Sequence, residues 1–194
     1  MNIVLFEPEI PANTGNIGRT CYATGTTLHL IDPIGFSLSE KALLRAGMDY
    51  WKNLDVHRYV NFSDFLEKNN NPKIFMATTK AKKCYSDVKY DSDAYIMFGP
   101  ESRGIPEEIL VDYKDTCIRI PMLEEIRSLN LSNSVAIILF EALRQNGFIN
   151  MNLADEFLAD YMNEMQHADK FGIEQPQTKK TIVIDYGGAN VAKP

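Results

Sequence analysis

Three polar stretches hold the side chains best suited to chemistry in this 194-residue chain. The segment "RSLNLSNSVAIILFE" (127–141) places Ser128 and Asn130 on one side of an extended stretch, because side chains alternate along it. Ser132 or Asn133 can cap the apolar helix that follows, which leaves the two earlier polar residues unexplained. Hydroxyl and amide groups at this spacing can form a polar rim around a small ligand.

The stretch "PANTGNIGR" (11–19) is the second candidate. Asn16 and Arg19 lie three residues apart and therefore share one face of a helix. A purely structural interpretation is a capped helix whose glycines allow close packing. Two asparagines, two glycines and an arginine are more than a cap requires, so we also consider a binding role.

The stretch "MFGPESRGIP" (97–106) is the third candidate. Gly99 allows a backbone to approach a ligand closely, and Glu101 and Arg103 follow it. The alternative is a Gly-Pro turn in which Glu101 and Arg103 form an ion pair at the surface. This stretch alone does not separate the two interpretations.

Short apolar runs alternate with helical patterns over most of the chain. We predict strands at residues 3–6, 28–31, 56–60, 74–78, 95–98 and 117–120. The predicted helices are 12–25 (Asn13 or Thr14 as N-cap, Gly25 as stop), 39–49 (Ser39 as N-cap), 63–69 (Ser63 as N-cap), 106–114 (Pro106 first) and 133–145 (Gly147 as stop). This alternation indicates an α/β domain with a mainly parallel sheet, in which ligands bind beyond the carboxyl ends of the strands.

Composition narrows the class of protein. No run approaches the roughly 20 apolar residues that span a bilayer, and the first residues lack a basic n-region, so we expect no membrane segment and no signal peptide. Three scattered cysteines suggest a reduced cytoplasm. The net charge of −6 argues mildly against nucleic-acid binding, although Lys80, Lys82 and Lys83 are clustered. We find no metal-ligand spacing and no histidine in the polar stretches.

Together, "NTGNIGR", "FGPESRGIP" and "IRIPM…RSLNLSNSVAIILFE" resemble the three ordered motifs of the SPOUT RNA methyltransferases. The resemblance is closest to the small bacterial tRNA (cytidine(34)-2'-O)-methyltransferases and covers about residues 1–148. It implies a mainly parallel sheet with helices on both faces and a C-terminal trefoil knot. It also implies a homodimer, with S-adenosylmethionine bound in a bent form near the subunit interface.

The resemblance carries over site residues by motif position. Those expected to contact the cofactor are Ala77, Thr78, Gly99, Glu101, Ile120, Met122, Ser128, Leu129 and Asn130. The implied reaction moves a methyl group to a ribose 2'-hydroxyl of the wobble nucleotide in a tRNA anticodon stem-loop. Arg19 is implied as the catalytic residue, supported by Asn16 and Asn133. Because a guanidinium stays protonated in proteins, Arg19 is better suited to stabilising an alkoxide than to acting as a base.

Two features depart from the small members of that family. Phe140 stands in the long helix where the family often carries tyrosine. Residues 149–194 extend beyond the family's usual end, and "FLADYMNEM…KKTIVIDYGGANVAKP" resembles the segment of arginyl-tRNA synthetase that precedes its class I signature. We therefore expect a methyltransferase domain at 1–148 and an appended, non-catalytic tail at 149–194.

Three other functions stay open from the sequence. One is methylation of a different tRNA or rRNA site, and another is a non-catalytic RNA-binding module of the same fold. The third is a dinucleotide-binding oxidoreductase, which requires G-x-G-x-x-G after the first strand. The corresponding residues 13–18 read "NTGNIG", so the first glycine is missing.

Overall fold

The computed structural model describes residues 1–37 and 49–152 of the chain, and residues Met1–Ile149 form one compact unit. Six parallel strands form one sheet in the order β3-β2-β1-β5-β4-β6. Their bounds are β1 Asn2–Phe6, β2 Thr27–Ile31, β3 Val56–Tyr59, β4 Ile74–Ala77, β5 Tyr95–Phe98 and β6 Cys117–Ile118. The predicted parallel α/β fold is confirmed.

The helices of the described residues are α1 Pro11–Thr24, α2 Phe62–Lys68, α3 Glu107–Asp112 and α4 Leu131–Gln145. Short 3₁₀ turns lie at Asp49–Asn53, Tyr85–Asp87 and Lys114–Thr116. Consecutive residues of β1 and β2 are buried, so both faces of the sheet are covered there. No helix in this part of the chain is long and apolar enough to cross a bilayer.

The predicted helix starts need correction at α1 and α4. Helix α1 begins at Pro11, so Asn13 and Thr14 lie inside the first turn and neither is the N-cap. Proline is favoured there because its missing N–H is not needed at the first helical position. Helix α4 begins at Leu131 and is capped by Asn130, not by Ser132 or Asn133.

Smaller corrections concern α2, α3 and β6. Asn61, not Ser63, caps α2 through a bond from the Asp64 N–H, and Pro106 precedes α3 as its N-cap. Strand β6 ends at Ile118, two residues earlier than predicted. Beyond β6, Arg119 pairs with Cys84 in an isolated bridge, and Pro121 lacks the N–H that a longer ladder would use.

Two predicted regions lie outside the described residues. They are most of the helix at 39–49 with Ser39 as its cap, and the elements of the tail from residue 153 onward. The predicted Gly25 stop is confirmed, since Gly25 ends α1 with a φ of 63°.

A buried histidine, His29 on β2, lies among aromatic rings of the core. The Asn2 amide nitrogen donates to the Asp93 carbonyl, so its oxygen faces His29 Nε2 at 3.1 Å. Nε2 must therefore carry the proton, and Nδ1 accepts from the Tyr59 hydroxyl at 2.8 Å. Burial and the nearby His57 lower the pKa of His29 to about 4.

This buried neutral imidazole predicts a pH-dependent stability. An unfolded histidine has a pKa of about 6.5, so between pH 6.5 and 4 the unfolded chain binds more protons, and stability falls as pH falls. We expect the free energy of unfolding to drop by about 2 kcal/mol from pH 7 to pH 5 on account of His29 alone. Urea unfolding of the parent and of His29→Gln at both pH values measures this. An equal drop in the glutamine variant would contradict the assignment to His29.

Candidate active site

The carboxyl ends of β4, β5 and β6 open into a cavity of about 520 Å³. All nine residues predicted to contact a cofactor line this one cavity: Ala77, Thr78, Gly99, Glu101, Ile120, Met122, Ser128, Leu129 and Asn130. They come from segments up to 53 residues apart in sequence (77 to 130). The structure therefore brings together residues that the sequence only lists in order.

The lining suits a ligand with apolar and polar parts. Ile118 and Ile138, both almost fully buried, belong to it together with the apolar Leu129. Thr78 and Ser134 add hydroxyl groups. A volume of this size lies within the range of small-molecule sites, so the cavity fits a cofactor of the size and mixed polarity of S-adenosylmethionine.

A hydrogen-bond network joins the three polar stretches beside the cavity. The Glu101 carboxylate accepts the backbone N–H groups of Glu9 at 2.9 Å and Ile10 at 3.3 Å, and the Asn13 side-chain amide at 2.9 Å. The Asn130 amide donates to the Asn13 oxygen at 3.0 Å. The Asn130 oxygen in turn accepts the N–H groups at the start of α4. Asn13 is thus the link among the loops, a role that its position inside a motif did not reveal.

Removing this link is expected to destabilise the fold. Asn13 is buried, and Asn13→Ala would remove two of its hydrogen bonds, the one that its amide donates to Glu101 and the one that its oxygen accepts from Asn130, at a cost of about 1–3 kcal/mol. Asn16→Ala, three residues further along α1 and exposed, is the matched control, with an expected change below about 0.5 kcal/mol. Urea unfolding measures both. Equal costs would show that the network does not stabilise the loops.

The proposed surface pair between Glu101 and Arg103 is wrong. Arg103 pairs with Glu7 and lies near Glu9, and Ser102 donates to Glu9 through its N–H at 2.9 Å and its hydroxyl at 2.7 Å. These bonds hold the pKa of Glu9 below its usual value. Glu101 instead accepts the N–H donors of Glu9, Ile10 and Asn13.

The reason for glycine at position 99 also differs from the predicted one. A Cβ atom on Gly99 would lie 2.2 Å from the Gly104 carbonyl carbon and 2.2 Å from the Ile105 nitrogen. The close approach is therefore to the loop's own backbone. The loop that lines the cavity can close on itself only when residue 99 has no side chain.

The three predicted catalytic residues lie outside the cavity of the single chain. Asn16 and Arg19 are exposed on α1, and Asn133 is exposed in the first turn of α4. The Asn133 N–H donates to the Asn130 side chain, but its own side chain is not part of the lining. The fold places these residues on two adjacent helices, with none of the three side chains in the lining of the cavity.

Four cations at the cavity are not among the predicted cofactor or catalytic residues, although Lys80 was noted in a basic cluster and Arg103 in the third polar stretch. Lys80, Arg103, Arg119 and Arg127 line the cavity, and Arg127 donates to the Ser102 carbonyl at 3.1 Å. The sequence signal that could have identified them is their position within or next to the motifs that line the cavity. Within residues 1–37 and 49–152, no group of three or more potential metal ligands occurs.

The glycines of the first polar stretch do not form a dinucleotide-binding turn. In that turn, glycines lie between a strand and the start of a helix. Here α1 already begins at Pro11, and Gly15 and Gly18 lie within it. The oxidoreductase alternative is therefore wrong.

Comparisons with known proteins agree on one family. The SpoU rRNA Methylase family matches residues 1–140. The tRNA (cytidine(34)-2'-O)-methyltransferase of Escherichia coli K12 is 47% identical over 156 residues, covering 80% of this chain and 99% of the relative. A solved structure concerned with 2-OH methylation of C/U34 on tRNA is 41% identical, with a TM-score of 0.70, covering 75% of this chain and 95% of that one. An AdoMet-bound rRNA methyltransferase from Sinorhizobium meliloti is 26% identical, with a TM-score of 0.65, covering 74% of this chain and 55% of that one.

Proposed function

The chain belongs to the SpoU rRNA methylase family, and from this premise we propose that it is a tRNA (cytidine(34)-2'-O)-methyltransferase. In this proposal it transfers a methyl group from S-adenosylmethionine to the ribose 2'-hydroxyl of the wobble nucleotide, cytidine or a modified uridine. The observation that carries the proposal is the convergence of nine motif residues on one cavity. Relatives at 41–47% identity that concern nucleotide 34 support the substrate.

The cavity residues would hold the cofactor in two ways. Ile120, Met122 and Leu129 supply apolar surface, and Thr78 and Ser128 supply polar groups. When bound, S-adenosylmethionine supplies a methyl group on a sulfonium, which is a good leaving group. The protein's remaining tasks are to align the ribose hydroxyl and to help it lose its proton. We assign the second task to Arg19, which stays protonated and cannot take the proton itself, but whose charge would stabilise the developing alkoxide while the proton passes to solvent water.

A homodimer is part of this proposal, because Arg19 does not line the cavity of its own chain. Tyr22 on α1 and Phe140 on α4 are each 47% exposed, and Ile137 on α4 is 37% exposed. A two-fold axis through this face would pair the same surfaces and bring Arg19 of one subunit toward the cavity of the other. Sedimentation equilibrium tests the proposed dimer, and a purely monomeric mass would overturn it.

The trefoil knot stays a proposal as well. Gln145 and Asn146, at the end of α4, bond to backbone groups of Val88 and Tyr90, in the connection between β4 and β5. These hydrogen bonds hold the end of α4 against the β4–β5 connection. Such contacts support a knot in which the C-terminal helix passes through an earlier loop. An experimental trace of residues 74–148 decides the threading.

We propose that tRNA docks on cations at the cavity rim and nearby. Lys80 and Arg119 line the cavity, and Lys82 and Lys83 follow Lys80 in sequence. Lys80 also pairs with Glu107, and Lys83 donates to the Asp115 carbonyl, so both are held in place. Arg45, a further candidate, lies outside the described residues. A cytoplasmic location follows from a tRNA substrate.

The appended tail is expected to be dispensable for the reaction. The compact unit Met1–Ile149 supports a methyltransferase domain of about residues 1–148, and the E. coli relative, whose match spans 156 residues, is covered almost completely without most of the tail. We predict that truncation after Phe148 keeps methyl transfer and does not weaken tRNA affinity, because the segment 154–165 is acidic and would repel phosphates. Filter-binding titrations of tRNA with the full-length and the truncated protein, from low to moderate salt, measure the affinity. Loss of methylation, or salt-independent binding, would contradict this view.

The central test is tRNA from a strain that lacks the gene, analysed by mass spectrometry. We expect loss of the 2'-O-methyl group at nucleotide 34 and its return when the gene is restored. A methyl group lost from another nucleotide would move the substrate to a different tRNA or rRNA site. Unchanged tRNA, together with calorimetric binding of RNA but not of S-adenosylmethionine, would favour a non-catalytic module.

A further inference from the structure

Helix α1 packs unusually closely against the 3₁₀ turn Asp49–Asn53. A Cβ atom on Gly18 would lie 2.8 Å from Trp51 Cζ3 and 3.3 Å from Leu54 Cδ2. Any side chain at position 18 would therefore push the turn away from the helix. The close packing brings the turn's own side chains alongside the exposed face of α1.

Tyr50 makes three contacts along that face of α1. Its hydroxyl donates to the Gly15 carbonyl. The Arg19 guanidinium carbon lies 5.4 Å from the centre of its ring. Its ring also stacks on Tyr22, with centroids 6.1 Å apart and an interplanar angle of 21°. Residues 15, 19 and 22 share a helix face, so one tyrosine spans successive turns with its ring beside Arg19.

An aromatic ring attracts a cation without neutralising its charge and without occupying its hydrogen-bond donors. A carboxylate would neutralise Arg19, and among residues 1–37 and 49–152 Arg19 has no ion-pair partner. An exposed arginine would otherwise sample many rotamers. A ring beside the guanidinium limits these conformations and leaves the N–H groups available to an oxyanion.

We propose that Tyr50 is a positioning residue that holds the Arg19 guanidinium in place for methyl transfer. This inference rests on the proposed function, in which Arg19 stabilises the alkoxide. It also explains the presence of Gly15 and Gly18 in the first polar stretch. Gly18 allows the turn to pack closely, and the Gly15 carbonyl anchors the Tyr50 hydroxyl.

The test compares single-turnover rates at saturating S-adenosylmethionine and tRNA. Tyr50→Leu removes the ring and is expected to lower the rate about fivefold, the scale of one cation–π contact. Tyr50→Phe keeps the ring but loses the anchor, and a loss of about twofold is expected. Cofactor affinity, measured by calorimetry, should not change in either variant.

A double-mutant cycle separates positioning from a structural role. If Tyr50 acts through Arg19, then Tyr50→Leu causes no further loss in an Arg19→Ala background. Trp51 is the chain's only tryptophan and lies next to Tyr50, so its emission reports whether the turn stays packed. We expect unchanged emission in both Tyr50 variants.

Three outcomes would overturn the inference while leaving the proposed function in place. The first is a fivefold loss that persists in the Arg19→Ala background, and the second is a rate in Tyr50→Leu equal to the parent's. The third is a red shift of Trp51 emission in both Tyr50 variants with equal losses of rate, which would indicate a structural role. If instead Arg19→Ala itself keeps the parent's rate, the proposed catalytic role of Arg19 fails, and the inference fails with it.

Discussion

Replacing Arg19 by alanine is expected to lower the rate of methyl transfer to tRNA by a factor of about 100 or more, the usual scale for losing one transition-state contact. The side chain is exposed on α1 and lies outside the cavity of its own chain, so its removal should leave the cofactor site intact. We therefore expect unchanged affinity for S-adenosylmethionine. Transfer of a labelled methyl group to an anticodon stem-loop measures the rate, and calorimetry measures the affinity.

Arg58→Ala is the matched control for this prediction. Arg58 is an exposed arginine on β3 that pairs with Asp32, and it does not line the cavity. Its loss should leave the rate unchanged. Arg19→Lys keeps a charge but loses the planar fork of donors, so we expect only partial activity. Normal turnover in Arg19→Ala, or a loss confined to cofactor affinity, would show that the assigned role is wrong.

Gly99→Ala is expected to weaken the binding of S-adenosylmethionine about a hundredfold, or by about 2.7 kcal/mol. The added methyl group would meet the backbone between Gly104 and Ile105 at 2.2 Å, and backbone cannot rotate away as a side chain can. Residues 99–105 must then move, and these residues line the cavity. A small substitution should therefore be nearly as damaging as a large one. Calorimetric titration of the parent, Gly99→Ala and Gly99→Val tests this.

Gly147→Ala provides the control for glycine substitution as such. Gly147 has a φ of 69°, so alanine there is strained, but its Cβ would meet no atom within 4 Å. We expect a modest loss of stability and an unchanged affinity for the cofactor. An alanine at position 99 that binds the cofactor as well as the parent would mean that the loop can adjust, and that the clash with Gly104 and Ile105 does not decide cofactor binding.

The amino-acid sequence by itself predicted the local elements and the set of residues that line one cavity. Strands and helices followed from short apolar runs, caps and stops, which depend on neighbouring residues, and most of their bounds were predicted within two residues. The nine residues predicted to contact the cofactor were taken from motifs, each continuous in sequence. Their placement at one cavity agrees with the rule that ligands bind at the carboxyl ends of parallel strands.

The tertiary structure decided what these residues bond to. Asn130 meets Asn13 across 117 positions of sequence, and Glu101 meets Ile10 across 91. The strand order, with β5 beside β1, brings Glu101 to Ile10, and the packing of α4 against α1 brings Asn130 to Asn13. The same contacts decided that Glu101 accepts N–H groups rather than pairing with Arg103, and that Gly99 approaches backbone rather than ligand. Local patterns do not encode such distances, because they arise from packing between segments far apart in the chain.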